Sequence, residues 1–317
     1  LILTAADYYG EGKREKKLSP FIFESLGDKN ISGKPSDKQE QLSFLEYKPA
    51  DAVAQGLMEK IKIDYLSYSQ IETFQTCPMH YKLRYIYKVP TPPSASQSFG
   101  TAMHATLKEF YELMLADPTS HKASRGLESL MTKLLEKNWV KEGYKTKSHE
   151  SEFFKKGKLY LSGFLKNGFN PKNLPVALEQ PFTVPIGKDL KIGGRVDRVD
   201  DLGNGEIEII DYKTGATIPS QRDVDKNLQL SFYALAATKV PTAPFGKTPE
   251  KIKLSLYYLD EQEKISTTRI AKQLEEAVDE ILKVRDEIEK SDFKCSGHMF
   301  CQLGCEFSLF CKTQIDT

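Results

Sequence analysis

Two runs of alternating apolar and polar residues, separated by a glycine-rich turn signal, constrain the fold of this chain more than any other feature. The runs are residues 190–200 and 206–213, and the turn signal is Gly203-Asn204-Gly205. Alternation with a period of two predicts β-strands, and a short glycine-rich connection predicts an antiparallel hairpin. We therefore expect a fold that is built around a sheet containing this hairpin.

The second strand of the hairpin places a carboxylate and an amine on one face. Because side chains alternate along a strand, Asp211 and Lys213 share the face of Ile207 and Ile209. The pair suits phosphodiester hydrolysis, since a carboxylate can hold Mg²⁺ or Mn²⁺ while a lysine orients the attacking water and stabilises developing charge. Asp197, on the preceding strand, is the second carboxylate that a hard cation prefers. Two solvated surface charges are the alternative interpretation of Asp211 and Lys213.

The register of the hairpin decides whether Asp197 belongs to this site. A two-residue Asn204-Gly205 loop without a bulge would pair residue 197 with residue 212, so that the two aspartates would face opposite sides of the sheet. A loop of odd length, or a bulge, pairs Asp197 with Asp211 on the same face. We therefore predict an odd loop or a bulge in this hairpin.

The rest of the pattern predicts helices first, and then strands with further helices. A capping box at Ser69 and Glu72 opens a first helix that continues past Pro78. Further helices are expected at 99–116, 125–140, 150–167, 226–238 and 271–290, and further strands at 176–186, 251–259 and 264–270. This order predicts an α/β fold in which a mixed central sheet is flanked by helices.

The two ends of the chain differ in character from this core. Residues 1–60 show little periodicity, and we interpret them as a tail or linker ahead of a domain at 61–317. The chain begins at Leu1 without a signal peptide or a membrane span, so we expect a cytoplasmic protein, cut from something larger, with no membrane partner. The formal net charge is only +1, so contact with nucleic acid must come from local clusters of charge.

The cysteines are concentrated near the C-terminal end. Cys295, Cys301, Cys305 and Cys311 lie close together, whereas Cys77 stands alone. In a reducing compartment this clustering indicates a metal site before it indicates disulfides. Zinc and iron–sulfur clusters both take four thiolates, so the spacing leaves open a local zinc site or a cluster that includes Cys77.

The segment GGRVDRVD followed by DYKTG resembles the RecB-like branch of the PD-(D/E)XK nuclease superfamily, and the resemblance extends over residues 64–317. It implies a metal-dependent deoxyribonuclease, an exonuclease that acts on DNA with a helicase in recombination and repair. Asp197 and Asp211 would bind Mg²⁺ or Mn²⁺, and Lys213 would position the water. The alternative is a non-catalytic iron–sulfur scaffold that binds DNA within a helicase–nuclease complex.

The same resemblance implies roles for residues on the helices. His104, in a G-x-x-x-H pattern that begins at Gly100, would be a further metal ligand, although its helix face alone supports a core histidine. Gln229 and Tyr233 lie one helical turn apart and match a Q-x-x-x-Y motif that borders the active site and contacts DNA. Glu179 aligns with an acidic residue that some relatives place near the metal.

Basic residues near these motifs are candidates for DNA contact. Arg195 and Arg198 flank Asp197, where they could meet phosphate or could keep the edge of a strand soluble. Residues 80–88 interleave basic and aromatic side chains, which suits phosphate contact and base stacking, or the end of an amphipathic helix.

A subset of RecB-like nucleases, of the AddB-like type, holds a [4Fe–4S] cluster, and the resemblance implies one here. One cysteine of that subset precedes the nuclease core and three follow it, which assigns Cys77, Cys301, Cys305 and Cys311 as ligands. The C-x3-C spacing after Cys301 departs from the usual C-x2-C, so Cys295 is the alternative ligand, and Zn²⁺ is the alternative metal. The cluster would connect the first helix to the C-terminal end.

The first residues, LILTAADYYG, resemble the stretch that follows the last helicase motif of UvrD-like helicases. This resemblance implies that residues 1–60 are the end of a motor domain and that the nuclease domain follows it. The sequence contains no GxxxxGK[ST] phosphate loop, so the ATPase site would lie elsewhere.

Overall fold

The structure is a computed structural model, and it describes residues 61–117, 124–215, 217–297, 305–307 and 310. The predicted tail at 1–60 lies outside these residues. Over the described part of the chain, the fold is a six-stranded mixed sheet with helices packed on both faces. The prediction of an α/β fold with a mixed central sheet flanked by helices is confirmed.

The strands of the described residues pair around a long central strand. They are β1 (Tyr65–Ser67), β2 (Ala177–Ile186), β3 (Leu190–Gly203), β4 (Glu206–Lys213), β5 (Ile252–Tyr258) and β6 (Glu263–Thr267). β3 pairs along one edge with antiparallel β2, and its other edge takes parallel β1 near its start and antiparallel β4 near its end. β5 pairs in parallel with β4 and antiparallel with β6. The hairpin β3–β4 therefore lies in the interior of the sheet.

Helices cover both faces of the sheet. They are α1 (Tyr68–Thr76), α2 (Pro78–Tyr81), α3 (Ala95–Ala116), α4 (Ser124–Lys137), α5 (Lys147–Asn167), α6 (Gln221–Asp225), α7 (Leu228–Lys239) and α8 (Ala271–Lys290), and a π-helical turn at Lys82–Ile86 continues α2. The helices α3, α4 and α5 bury one face around Phe164 and Tyr212, whereas α1, α7 and α8 bury the other around Ile209 and Leu235. α6 and α7 form the crossover that the parallel pair β4–β5 requires.

No helix in the part of the chain that the structure describes has both the length and the apolar composition needed to cross a bilayer.

The first helix begins earlier than predicted. Its N-cap is Ser67 and not Ser69: Ser67 Oγ accepts a hydrogen bond from the Gln70 backbone N–H, and Gln70 Oε1 accepts one from the Ser67 N–H. Both serines precede a Glu or Gln by three positions, so the capping pattern fits either start, and the earlier one follows directly from β1. The helix ends at Cys77, whose backbone is extended ahead of Pro78, so the predicted continuous helix is wrong.

The other elements lie close to their predicted bounds. β4 coincides with the predicted strand at 206–213, and α8 with the predicted helix at 271–290. α3 begins at Ala95 and not at residue 99, because Ser94 and Gln97 form a capping box ahead of the predicted start. β1 and α6 were not predicted, since elements of three and five residues are too short to show a period.

Candidate active site

The turn of the β3–β4 hairpin contains the predicted irregularity. Its loop is Asn204-Gly205, and a bulge between Asp201 and Gly203 takes up one extra residue of β3. The φ angles of Gly203, Asn204 and Gly205 are 82°, 52° and 79°. Glycine and asparagine adopt this left-handed region at the lowest cost, so the Gly-Asn-Gly sequence permits the turn and the bulge together.

The bulge sets the two candidate aspartates opposite each other. Arg198 pairs with Ile210 in the observed register, and continuing that register by one residue places Asp197 opposite Asp211. A plain two-residue loop would instead have placed Asp197 opposite Tyr212 and turned it to the other face. The prediction of an odd loop or a bulge is confirmed.

Asp211 is the centre of a hydrogen-bonded network with α7. Its side chain is buried, and Oδ1 accepts hydrogen bonds from the Tyr233 hydroxyl at 2.7 Å and from Gln229 Nε2 at 2.9 Å. Its Oδ2 lies 2.6 Å from Lys213 Nζ, which also donates to Gln229 Oε1 at 2.7 Å. Gln229 and Tyr233, one turn apart on α7, therefore fix both the carboxylate and the ammonium group.

Asp197 and His104 meet at the backbone of Tyr212. Asp197 Oδ2 accepts a hydrogen bond from the Tyr212 N–H at 2.8 Å and lies 3.3 Å from His104 Nδ1. His104 Nε2 lies 3.1 Å from the carbonyl oxygen of Tyr212. His104 is half-buried and both nitrogens of its ring have polar partners, so it is not the core histidine that its helix face alone allowed. These contacts join α3 to the hairpin.

Three side chains of the described residues form a candidate metal-binding group. One ligand atom each from His104, Glu179 and Asp197 lies within 4.8 Å of the others. Glu179 reaches this point from the third position of β2 with a φ of 47°, and such strained backbone is concentrated at functional sites. The structure thus brings two of the predicted ligands together and adds Glu179, whereas Asp211 lies beside this group, paired with Lys213.

The electrostatics of the site favour a bound cation. Burial and the charge of Asp197 raise the pKa of Glu179. Burial also raises the pKa of Asp211, although Lys213 opposes the effect. Burial lowers the pKa of His104, but the hydrogen bond and charge of Asp197 outweigh it and raise this pKa to about 9, so a cation that binds His104 must displace its proton. Oδ2 of Asp211 is buried and makes no hydrogen bond of normal geometry despite the nearby amine. This set of hard oxygens and one imidazole fits Mg²⁺ or Mn²⁺.

The two arginines beside Asp197 lie in different environments. Arg195 is exposed and its Nε is 3.8 Å from Glu179, so its guanidinium is available to an anionic substrate. Arg198 is 4% exposed and pairs with Asp200 on the opposite face of the sheet. The interpretation of Arg198 as a phosphate contact or a solubilising edge residue is therefore wrong. Helices cover both faces of β3, so alternation buries this arginine where it was expected to reach solvent.

A cavity of about 460 Å³ lies beside the candidate metal-binding group, between α3 and the β2–β3 pair. Its walls include Lys108 and Arg195 as well as His104 and Glu179. Another cleft, of about 170 Å³, is also lined by Arg195 and is bordered by Gln229 and Tyr233. Basic side chains next to a candidate cation site suit a substrate that carries phosphate groups.

The predicted cluster ligands are only partly within the described residues. Cys77 is buried at the break between α1 and α2, and Cys305 is half-buried. Cys301 and Cys311 lie outside the described residues. The four-cysteine cluster therefore stays a prediction.

The segment that follows Cys77 contacts the C-terminal segment. His80 Nε2 lies 3.0 Å from Cys305 Sγ, and its ring packs against Phe307. Arg84 forms an ion pair with Glu306 at 2.5 Å. These contacts place the segment after Cys77 beside Cys305, and a cluster shared by the two cysteines would need these segments to be neighbours. They also give His80 and Arg84 protein partners in the stretch that was considered for DNA contact.

Comparison with known proteins agrees with the resemblance found in the sequence. The family model described as the PD-(D/E)XK nuclease superfamily matches residues 65–312. The chain is similar to proteins from three bacteria that are described as a subunit of an ATP-dependent helicase/deoxyribonuclease. For Carboxydothermus hydrogenoformans the identity is 27%, covering 58% of this chain and 19% of the relative. The protein from Clostridium tetani is 29% identical over 52% of this chain and 17% of the relative. The protein from Clostridium novyi is 25% identical over 69% of this chain and 22% of the relative. The matched region thus spans about a fifth of the length of these relatives.

Proposed function

Because this chain belongs to the PD-(D/E)XK nuclease superfamily, we propose that it is a Mg²⁺- or Mn²⁺-dependent deoxyribonuclease. The observation that carries the proposal is that the candidate metal-binding group of His104, Glu179 and Asp197 lies beside the Asp211–Lys213 pair. Carboxylates and imidazole can hold a divalent cation, and an ammonium group at the same place can stabilise a phosphoryl transition state.

The ligand set would be His104, Glu179 and Asp197, and Asp211 would add the buried Oδ2 that makes no hydrogen bond of normal geometry. A cation held there would polarise the phosphodiester and activate a water molecule. The protein's own contribution is to keep these ligands fixed before substrate binds. The Tyr212 N–H holds Asp197, while Gln229 and the Tyr233 hydroxyl hold Asp211.

Lys213 is arranged to act as a cation and not as a base. Burial lowers its pKa, but the charge of Asp211 and the hydrogen bond to it outweigh burial and raise the pKa above its usual value. The amine therefore stays protonated at neutral pH. Its Nζ donates to Gln229 Oε1 and forms the ion pair with Asp211, and an N–H that does neither can serve a water molecule or a phosphate oxygen.

We also propose that the domain works on DNA together with a helicase, as an exonuclease in recombination and repair. The support is the similarity to relatives that are named as a subunit of an ATP-dependent helicase/deoxyribonuclease. A [4Fe–4S] cluster on Cys77, Cys301, Cys305 and Cys311 belongs to the same proposal, supported by the contact of His80 with Cys305. Iron and sulfide assays on anaerobically purified protein test it, and zinc without iron would contradict it.

The catalytic proposal is tested by cleavage of end-labelled single-stranded and duplex DNA with Mg²⁺ or Mn²⁺. Asp211→Asn keeps the shape of the side chain but removes its charge, and we expect a loss of about 100- to 1000-fold or more. The matched control is Asp201→Asn in the same hairpin, whose exposed carboxylate accepts from the Gly203 N–H. The control should retain the parental rate. A parent that is inert with both metals, or a fully active Asp211→Asn protein, would refute the proposal.

A further inference from the structure

The face of the sheet opposite the side chains of Asp197 and Asp211 carries a buried charged group, here called the Arg198 cluster. It consists of Arg198, Asp200, Tyr111 and the side chain of Tyr212, all of which are at most 4% exposed. Arg198 Nε and Nη2 each donate to one oxygen of Asp200 at 2.6 Å. Its guanidinium carbon lies 4.5 Å from the centre of the Tyr111 ring, and Nη1 donates to the hydroxyls of Tyr111 and Tyr212.

Tyr212 connects this cluster to the active-site face. Its neighbours Asp211 and Lys213 point to the site, so alternation sends the Tyr212 side chain to the opposite face. There its hydroxyl accepts from Arg198 at 3.3 Å. Both polar groups of its backbone contact the site: the N–H donates to Asp197, and the carbonyl oxygen lies within hydrogen-bond distance of His104 Nε2. One residue thus contacts two members of the candidate metal-binding group through its main chain.

Stability alone does not account for a charged pair at this position. Removing two charges from water is costly, and well-packed apolar residues often replace a buried ion pair with no loss of stability. An arginine adds hydrogen bonds of fixed geometry. Its planar guanidinium donates two hydrogen bonds to Asp200, and its third nitrogen donates to both tyrosine hydroxyls. Hydrogen bonds to a metal ligand commonly set its orientation, and here the Tyr212 backbone makes such contacts with Asp197 and His104 while Arg198 holds the Tyr212 hydroxyl.

We infer that the Arg198 cluster positions the candidate metal-binding group, by fixing Tyr212, whose backbone in turn orients Asp197 and His104. Arg198 is a positioning residue in this scheme, since it acts through Tyr212 from the other side of the sheet. The inference rests on the proposed function, because it concerns the same metal-dependent site.

The test is Mn²⁺ binding by the full chain, measured by electron paramagnetic resonance, together with kcat and KM for DNA cleavage. The double substitution Arg198→Met with Asp200→Leu removes both buried charges at once, so no lone charge is left in the core. We expect its Mn²⁺ dissociation constant to rise by about 10- to 100-fold and kcat at fixed Mn²⁺ to fall with it. The KM for DNA should be unchanged.

Two further variants separate positioning from folding. Tyr212→Phe keeps the ring but removes the hydroxyl, and we expect it to weaken Mn²⁺ binding by about 5-fold, as for one lost hydrogen bond. Glu208→Met with Lys264→Met is the matched control, because it removes another ion pair, with a buried carboxylate, from the same sheet. The control should bind Mn²⁺ as the parent does.

The outcomes are distinguishable. If the parent neither binds Mn²⁺ nor cleaves DNA, the proposed function fails and the positioning role fails with it. If the parent does both, and the double variant or Tyr212→Phe binds Mn²⁺ with parental affinity, only the positioning role is overturned. An equal loss of affinity in the Glu208 control would also overturn it, because the effect would then be a general one on folding.

Discussion

Replacement of Arg269 by methionine tests what holds α7, the helix that carries the glutamine and tyrosine of the candidate active site. Arg269 is 2% exposed. Its guanidinium donates to the carbonyl oxygens of Val224 at 3.2 Å and Asn227 at 3.1 Å, and to Ser231 Oγ at 3.1 Å. These acceptors lie in α6, at the N-cap of α7 and in the first turns of α7. Arg269 therefore joins the two helices of the crossover.

Arg269 makes five hydrogen bonds in all with the described residues, because Nη1 also donates to Thr267 Oγ1 at 3.2 Å and to the Thr268 carbonyl oxygen at 3.0 Å. The carbonyls of Val224 and Asn227 each accept a backbone N–H as well, so the substitution does not remove their last partner. At about 1 kcal/mol per bond, the five bonds amount to about 5 kcal/mol. Methionine offsets part of this, because burial lowers the pKa of Arg269 and Asp225 only partly opposes the effect, so the buried charge is itself unfavourable. We expect a net loss of about 3 kcal/mol in the free energy of unfolding.

Urea denaturation followed by circular dichroism measures this difference between the parent and Arg269→Met. Arg222→Met is the control, since Arg222 is an exposed residue of α6. A surface substitution of this kind changes stability by less than about 0.5 kcal/mol. If Arg269→Met differs from the parent by no more than the control does, Arg269 does not hold α7 and its five hydrogen bonds add no net stability.

Two further predictions concern the hairpin and its charges. Deletion of Leu202 removes the bulge and leaves a regular two-residue turn that still sets Asp197 opposite Asp211. Cleavage should therefore survive in the deletion protein, and a folded but inactive one would contradict the register argument. At Glu208, burial opposes ionisation, but hydrogen bonds from Lys264 and Ser255 and the charges of Lys264 and Lys253 outweigh it and lower the pKa. A lowered folded-state pKa stabilises the fold above the unfolded pKa of about 4.3. Glu208→Gln should therefore lose stability at pH 7, and the deficit should shrink as pH falls below about 4. A deficit that is constant or grows in acid, in urea titrations at both pH values, would contradict this.

The part of the site that the sequence could predict is the part that local chain geometry determines. Alternation along β4 put Asp211 and Lys213 on one face, and the parity of the turn added Asp197. Both arguments involve residues of one hairpin. His104 and Gln229 were predicted through resemblance, because their helices reach the hairpin by tertiary packing that no local pattern describes.

The features that sequence reasoning missed depend on contacts between distant segments. Glu179 was named with an uncertain role, and it enters the metal-binding group because β2 pairs with β3 and because its own φ is positive. A glutamate gives no sign of that backbone conformation. Arg198 was expected to meet solvent or phosphate, since a charged residue in an alternating strand usually does. Its burial depends on α3, α4 and α5 covering the second face of the sheet.

Strand alternation gives consecutive residues of this hairpin opposite electrostatic environments. Asp197 belongs to the candidate metal-binding group, and burial together with the nearby charge of Asp197 raises the pKa of Asp211, so the two carboxylates could share a cation. Arg198 and Tyr212, one residue away along each strand, lie in a closed layer where the arginine's charge is paired with Asp200. Because the peptide units between them belong to both layers, we expect a change in the closed layer to alter the geometry of the candidate site without exposing it. The proposed positioning role therefore lies with residues that a search by distance from the candidate metal-binding group would assign to the core.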